Sequence, residues 1–145
     1  MQLTSILSTL SILGLSATGT SLPSRPHAND VFNWHARNFT VGCTPAACFY
    51  NFNVAAPGNK EVPSFNTTCA STDLKSGYAP CQNKNISSVL TPLADGTDGW
   101  NVSVKHFWIN KIPGGEAEFW TVGKGNVSAD SKEFDLKVQQ QYGIA

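Results

Sequence analysis

Charge is scarce in this chain of 145 residues: 14% of them are Asp, Glu, Lys or Arg, ten basic against ten acidic, for a formal net charge of zero. That balance excludes the basic footprint by which nucleic-acid binders engage phosphates, and equally a polybasic attachment to membrane surfaces. Methionine is limited to the initiator, so the core must rest on Phe, Trp, Val, Leu and Ile. Catalytic signatures are missing as well: the chain holds no G-x-S-x-G, no H-E-x-x-H, no P-loop and no G-x-G-x-x-G after a strand. Beyond the first thirty residues there is no 3.6-residue apolar periodicity lasting more than two turns. What the chain does have is aromatics, eight Phe, four Trp and three Tyr. That content argues against disorder and leans towards β-structure.

Residues 1–19 (MQLTSILSTLSILGLSATG) read as a secretory signal: an uncharged start, a loosely apolar run from Ile6 to Leu15, then small residues suited to cleavage near Gly19. A membrane anchor needs about 18 to 20 nearly continuous apolar residues, and Ser and Thr interrupt this shorter run, so no membrane span is expected. The protein should be secreted and extracellular. N-x-[ST] sequons at Asn38, Asn66, Asn85, Asn101 and Asn126 all follow the cleavage point and are candidate glycosylation sites. The cysteines, Cys43, Cys48, Cys69 and Cys81, do so too, and an even number in a secreted domain reads as two disulfides. Of the three connectivities, Cys43–Cys48 with Cys69–Cys81 is preferred because each bond closes a local loop. Zinc fits poorly, since His27, His35 and His106 are scattered and no second close cysteine pair exists; no metal and no cofactor are expected.

Residues 20–30 carry two Pro without apolar periodicity and read as a flexible leader. From residue 31 to 145 a single β domain is expected. Strands are read at Val31 to Val41, Cys48 to Ala55, Val62 to Cys69, Ile86 to Leu93, Gly99 to Ile109, Ala117 to Val122 and Glu133 to Gln139. Two of them alternate cleanly: Cys48, Tyr50, Phe52 and Val54 share one face, and Trp100, Val102, Val104, His106 and Trp108 share another. Reversals are expected at Ala94 to Gly99, at Pro113-Gly114-Gly115 and at Lys124-Gly125-Asn126. The fold class is all-β, a compact antiparallel barrel or sandwich of about seven strands with two disulfides.

The chemistry-bearing residues have ordinary explanations. Glu116 and Glu118 lie two apart on one strand, which does not set carboxylates on opposite faces of a sugar; they read as a solvated edge. His106 lies on the inward face and lacks triad companions, so it is expected to pack near a barrel end with a hydrogen-bonded ring nitrogen. His35 falls on the polar parity, and Asp95 and Asp98 lack the calcium-loop spacing and its terminal Glu. No catalytic residue is assigned. The pairs Phe107-Trp108 and Phe119-Trp120 each send one aromatic to either face, and with Trp108 and Phe119 inward, Phe107 and Trp120 face out as a candidate binding surface. Such a patch could stack sugars of a cell-wall glycan, pack against a second copy as a homodimer, or lie under the leader.

A signal followed by an aromatic strand (Val31-Phe32-Asn33-Trp34), C-x4-C running into CFYNFNV, and a TTC…C loop from Thr67 to Cys81 resembles small secreted fungal β-barrel proteins. The similarity is to the Alternaria major-allergen-like family with its hypersensitive-response-inducing elicitors, and it covers roughly Val31 to Val138. The resemblance implies a non-enzymatic antiparallel barrel that plants recognise as an elicitor or meet as an effector, with a plant host protein or cell-surface component as partner. The family's hairpin-like cysteine pair carries over to Cys69 and Cys81, and the aromatic of its first strand to Trp34. The C-x4-C at Cys43 and Cys48, and the lack of a cysteine after Cys81, depart from the family pattern.

Overall fold

The computed structural model describes residues 33–74, 77–94 and 96–144; the expected signal and leader lie outside the described residues. Eight strands follow one another: β1 (Asn33–Cys43), β2 (Cys48–Ala56), β3 (Phe65–Ser71), β4 (Ala79–Pro80), β5 (Ile86–Pro92), β6 (Trp100–Ile112), β7 (Gly115–Val127) and β8 (Phe134–Ile144). No helix occurs among the described residues. The strands form one antiparallel sheet in the order β3-β2-β1-β8-β7-β6-β5-β4. Two meanders, β1 to β3 and β4 to β8, are therefore joined by pairing of the first strand with the last.

The sheet curls until its two ends meet, so the architecture is a nearly closed barrel. β4 is too short to close it by a ladder. Instead Gln82 N donates to Thr68 O at 2.9 Å, Asn83 N donates to Thr67 Oγ1 at 2.9 Å, and the Cys69–Cys81 disulfide ties β3 to the chain just after β4. The second disulfide, Cys43–Cys48, joins residues in direct register across the β1–β2 hairpin. Both bonds have the expected connectivity.

Alternation fills the interior. Phe39, Phe52 and Phe134 meet in a triangle with ring centroids 5.5 to 6.4 Å apart, and Trp34 sets its edge on Phe65 at 5.1 Å. Aromatic contacts of this geometry add to the energy of burial itself. Tyr50 crosses the interior from β2, its hydroxyl 2.9 Å from Ser88 Oγ and 3.1 Å from Ser88 O on β5. Burial raises the Tyr50 pKa above its usual value and keeps it a neutral donor.

Besides the unexpected short strand β4, which makes the strands eight, three features depart from the expected strand map. In β1 the register shifts between Arg37 and Thr40, where Asn38 and Phe39 oppose the single residue Phe52. Asn38 takes φ 55°, a left-handed conformation that Asn tolerates better than most residues, and the bulge turns Phe39 into the core. Lys124-Gly125-Asn126 is no reversal: these residues stay in β7, paired with β6 out to Trp100↔Val127. Gly125 signals a turn only in isolation. Here Gly123 lets Trp34 lie against the strand, and a Cβ there would stand 2.6 Å from the indole. The reversal falls at Ser128 to Ser131 instead, where Ser131 N donates to Ser128 O at 3.2 Å. Finally, β3 begins at Phe65 rather than Val62, because Asn59 Oδ1 accepts from Glu61 N and Val62 N at 2.7 Å and holds that stretch in a turn. The β6–β7 hairpin turns on Pro113-Gly114, with Gly114 at φ 91° as a Pro-Gly turn requires.

The two disulfides should contribute unequally. Cys69→Ala/Cys81→Ala should lower unfolding stability by about 3 kcal/mol, and Cys43→Ala/Cys48→Ala by less, because it closes a shorter loop inside a hairpin that is already paired. Equal shifts of the urea midpoint would refute this account of the seam.

Candidate functional site

Along β6 the odd-numbered residues face out, and along β7 the even-numbered ones do. Phe107 and Trp120 are cross-strand partners on this outer face, half-buried, with ring centroids 5.3 Å apart and planes tilted by 48°. Two isoleucines extend the patch beyond that pair. Ile109 pairs with Glu118, which pairs on its other side with Ile144, and the two isoleucines are 49% and 64% exposed. Phe107, Trp120, Ile109 and Ile144 thus share one face of the hairpin arm formed by β6, β7 and the end of β8. Ile109 shares the outward parity of Phe107 on the same strand, whereas Ile144 reaches the patch only through strand register.

On the inner side of the same arm Trp108 is buried and stacks on the half-buried Phe119, with centroids 5.6 Å apart and planes 15° apart. Next to them His106 is 3% exposed and walled by Phe65 at 4.7 Å, Trp108 at 4.9 Å and Trp34 at 6.5 Å. The expected hydrogen bond is absent at Nδ1, which has no partner among the described residues. Burial lowers the His106 pKa to about 4, so the imidazole is neutral near pH 7. Its cross-strand neighbour Thr121 and its strand neighbour Trp108 also bury unpaired atoms, Oγ1 and Nε1.

The remaining candidates are dispersed. His35 sits on the outer face with Nδ1 donating to Asp135 Oδ1 at 2.8 Å, across the β1–β8 register. Glu116 and Glu118 are exposed on one face beside the hairpin turn. Asp95 lies outside the described residues. All five sequon asparagines, Asn38, Asn66, Asn85, Asn101 and Asn126, are exposed. Among the described residues no three His, Cys, Asp or Glu side chains converge as a metal site would require.

Comparison with protein-family models, with curated proteins and with solved structures finds no match for this chain. The fold and surface define an all-β barrel with a disulfide across its seam and an apolar patch on its outer wall.

Two measurements probe the interior. Between its ordinary pKa of 6.5 and its folded value of about 4, His106 binds a proton in the unfolded chain but not in the folded one. Stability should therefore fall as pH drops through that window, by about 3 kcal/mol in all, and His106→Phe should remove this part of the slope in urea titrations. Thr121→Val, which replaces an unpaired buried hydroxyl by a methyl, should leave stability unchanged or raise it by about 1 kcal/mol; a clear loss would mean that Oγ1 is hydrogen-bonded.

Proposed function

We propose that this chain is a secreted, non-enzymatic effector or elicitor, met by plant cells through the outer patch of Phe107, Trp120, Ile109 and Ile144. The patch is the observation that carries the reading. Apolar residues spread singly over a surface are ordinary, but four on one face of a single arm, with the exposed Glu118 between the two isoleucines, form the kind of surface that partners cover. Two disulfides are compatible with an extracellular protein. Exposed sequon asparagines outside the groove described below, Asn38, Asn66 and Asn85, fit passage through a glycosylating secretory route. The resemblance to allergen-like fungal elicitors, carried by the cysteine spacing and the early aromatic strand, supplies the plant host protein or cell-surface component as partner. Balanced charge agrees with recognition by shape and apolar contact more than by long-range steering.

A second reading uses the same aromatics. A half-buried Phe and Trp side by side on a β-ladder also suit the apolar faces of sugar rings, so a cell-wall glycan is the alternative ligand, and a second copy of the chain is a third occupant.

Leaf infiltration with the secreted protein should produce cell death or defence-gene induction, and Trp120→Ala should weaken that response while its thermal unfolding stays within a few degrees of wild type. An inert wild-type protein would refute the effector reading. Loss of glycan-array binding in Trp120→Ala, with the leaf response intact, would favour the glycan reading, and sedimentation would reveal a homodimer.

A further inference from the structure

The outer wall carries a second feature, away from the aromatic patch and of opposite chemistry. Where β5, β6, β7 and β8 lie side by side, their outward residues line a groove of about 730 Å³. Lys124, Gly125 and Asn126 of β7 line it. At Gly125 the strand lies close against β8, where an added Cβ would stand 2.4 Å from Asp135 O.

The polar groups in the groove are specific in kind. Lys124 and Lys137 stand directly opposite each other across the β7–β8 ladder, both exposed. Like charges in direct register repel, an arrangement that a compensating anion would relieve. Among the described residues neither lysine has an ion-pair partner. Asp135, the carboxylate in the groove, accepts from His35 Nδ1 at 2.8 Å. Around the two cations stand neutral hydrogen-bonding groups. Asn101 and Asn126 form a cross-strand amide pair, and Tyr78, 42% exposed, closes one side with its hydroxyl 2.6 Å from Ser103 Oγ.

We propose that this groove binds an acidic oligosaccharide, a uronate chain whose carboxylates meet Lys124 and Lys137 and whose hydroxyls meet the amides and hydroxyls beside them. Two adjacent lysines in a chain of zero net charge are too few for a nucleic-acid backbone, whose affinity rests on many phosphate contacts. Amides and hydroxyls flanking a few charges match a ligand that is mostly hydroxyl with a carboxylate at intervals. Asn101 and Asn126 are also sequon asparagines, so a glycan on either would occupy the groove; the binding form is the one unmodified at both. This inference does not rest on the effector reading, because it concerns other side chains and is read by direct binding.

The test uses the full chain made in a bacterial periplasm, where disulfides form and no N-glycan is attached, titrated calorimetrically with a short oligogalacturonate. Wild type should bind, and Lys124→Gln/Lys137→Gln should weaken binding by about tenfold or more. Lys60→Gln/Lys84→Gln, the same charge change on exposed loops, should bind as wild type. A methyl-esterified oligogalacturonate, which keeps the sugar and removes the charge, should bind wild type at least about tenfold more weakly, an arm that needs no variant. Failure of wild type to bind, equal loss in both double variants, or equal binding of the esterified ligand would overturn the proposal. None of these outcomes depends on a plant response, so the groove can fail while the aromatic patch stands, and the reverse.

Discussion

Closure of the seam between β3 and the chain around β4 is the constraint on which the rest of the barrel depends. An open sheet of eight strands would leave one row of core residues facing water: Phe65, Thr67 and Cys69 on one edge strand, Ile86, Ser88 and Leu90 near the other. β4 offers two residues, one of them proline, and cannot supply the ladder that joins the other strands. The chain closes the gap with two single hydrogen bonds and a covalent bond. Each hydrogen bond contributes on the order of 1 kcal/mol, whereas the disulfide contributes about 3 kcal/mol, in a domain whose whole stability is of the order of 5–15 kcal/mol. The same short, proline-ended strand leaves little edge on which another chain could pair.

Closure at this size also demands bending, and two sites provide it. At Asn38 the bulge turns β1 and drops Phe39 between Phe52 and Phe134. At Gly123 the missing side chain admits Trp34 from within, and Gly125, two residues on, lines the outer groove.

Much of this was legible in the sequence because alternation with period two is a local signal. Cys48 to Val54 and Trp100 to Trp108 announce their inward faces residue by residue, and Pro113-Gly114 fixes the longest hairpin. Loop length pointed to the right disulfides. What escaped was whatever depends on a neighbouring strand. Lys124-Gly125-Asn126 looks like a turn until the ladder to Asn101, Val102 and Ser103 is known. Ala79–Pro80 has no pattern of its own and is a strand only because Ser87 and Ser88 pair with it. For the same reason Ile144 joins the aromatic patch, and Lys137 comes opposite Lys124, only through register, although they lie 26 and 13 residues along the chain from their partners Glu118 and Lys124.

The outward parity of β6 and β7 holds both surface candidates on one ladder. Asn101 and Asn126 stand near one end, Phe107 and Trp120 near the other, and six residues of strand separate the two rows, about 20 Å at roughly 3.3 Å per residue. Between them Ser103, Lys124 and Lys105 keep the surface polar, while Val122, the partner of Lys105, is buried. The inward parity is committed: it is filled by Val102, Val104, His106 and Trp108, whose packing fixes the strand. A rigid, fully paired strand therefore presents an amide and lysine surface at a set distance from an aromatic one. Chemistry on such a face can change by substitution at outward positions without disturbing the core, because each outward side chain shares its backbone, but not its packing, with the residues that hold the barrel closed.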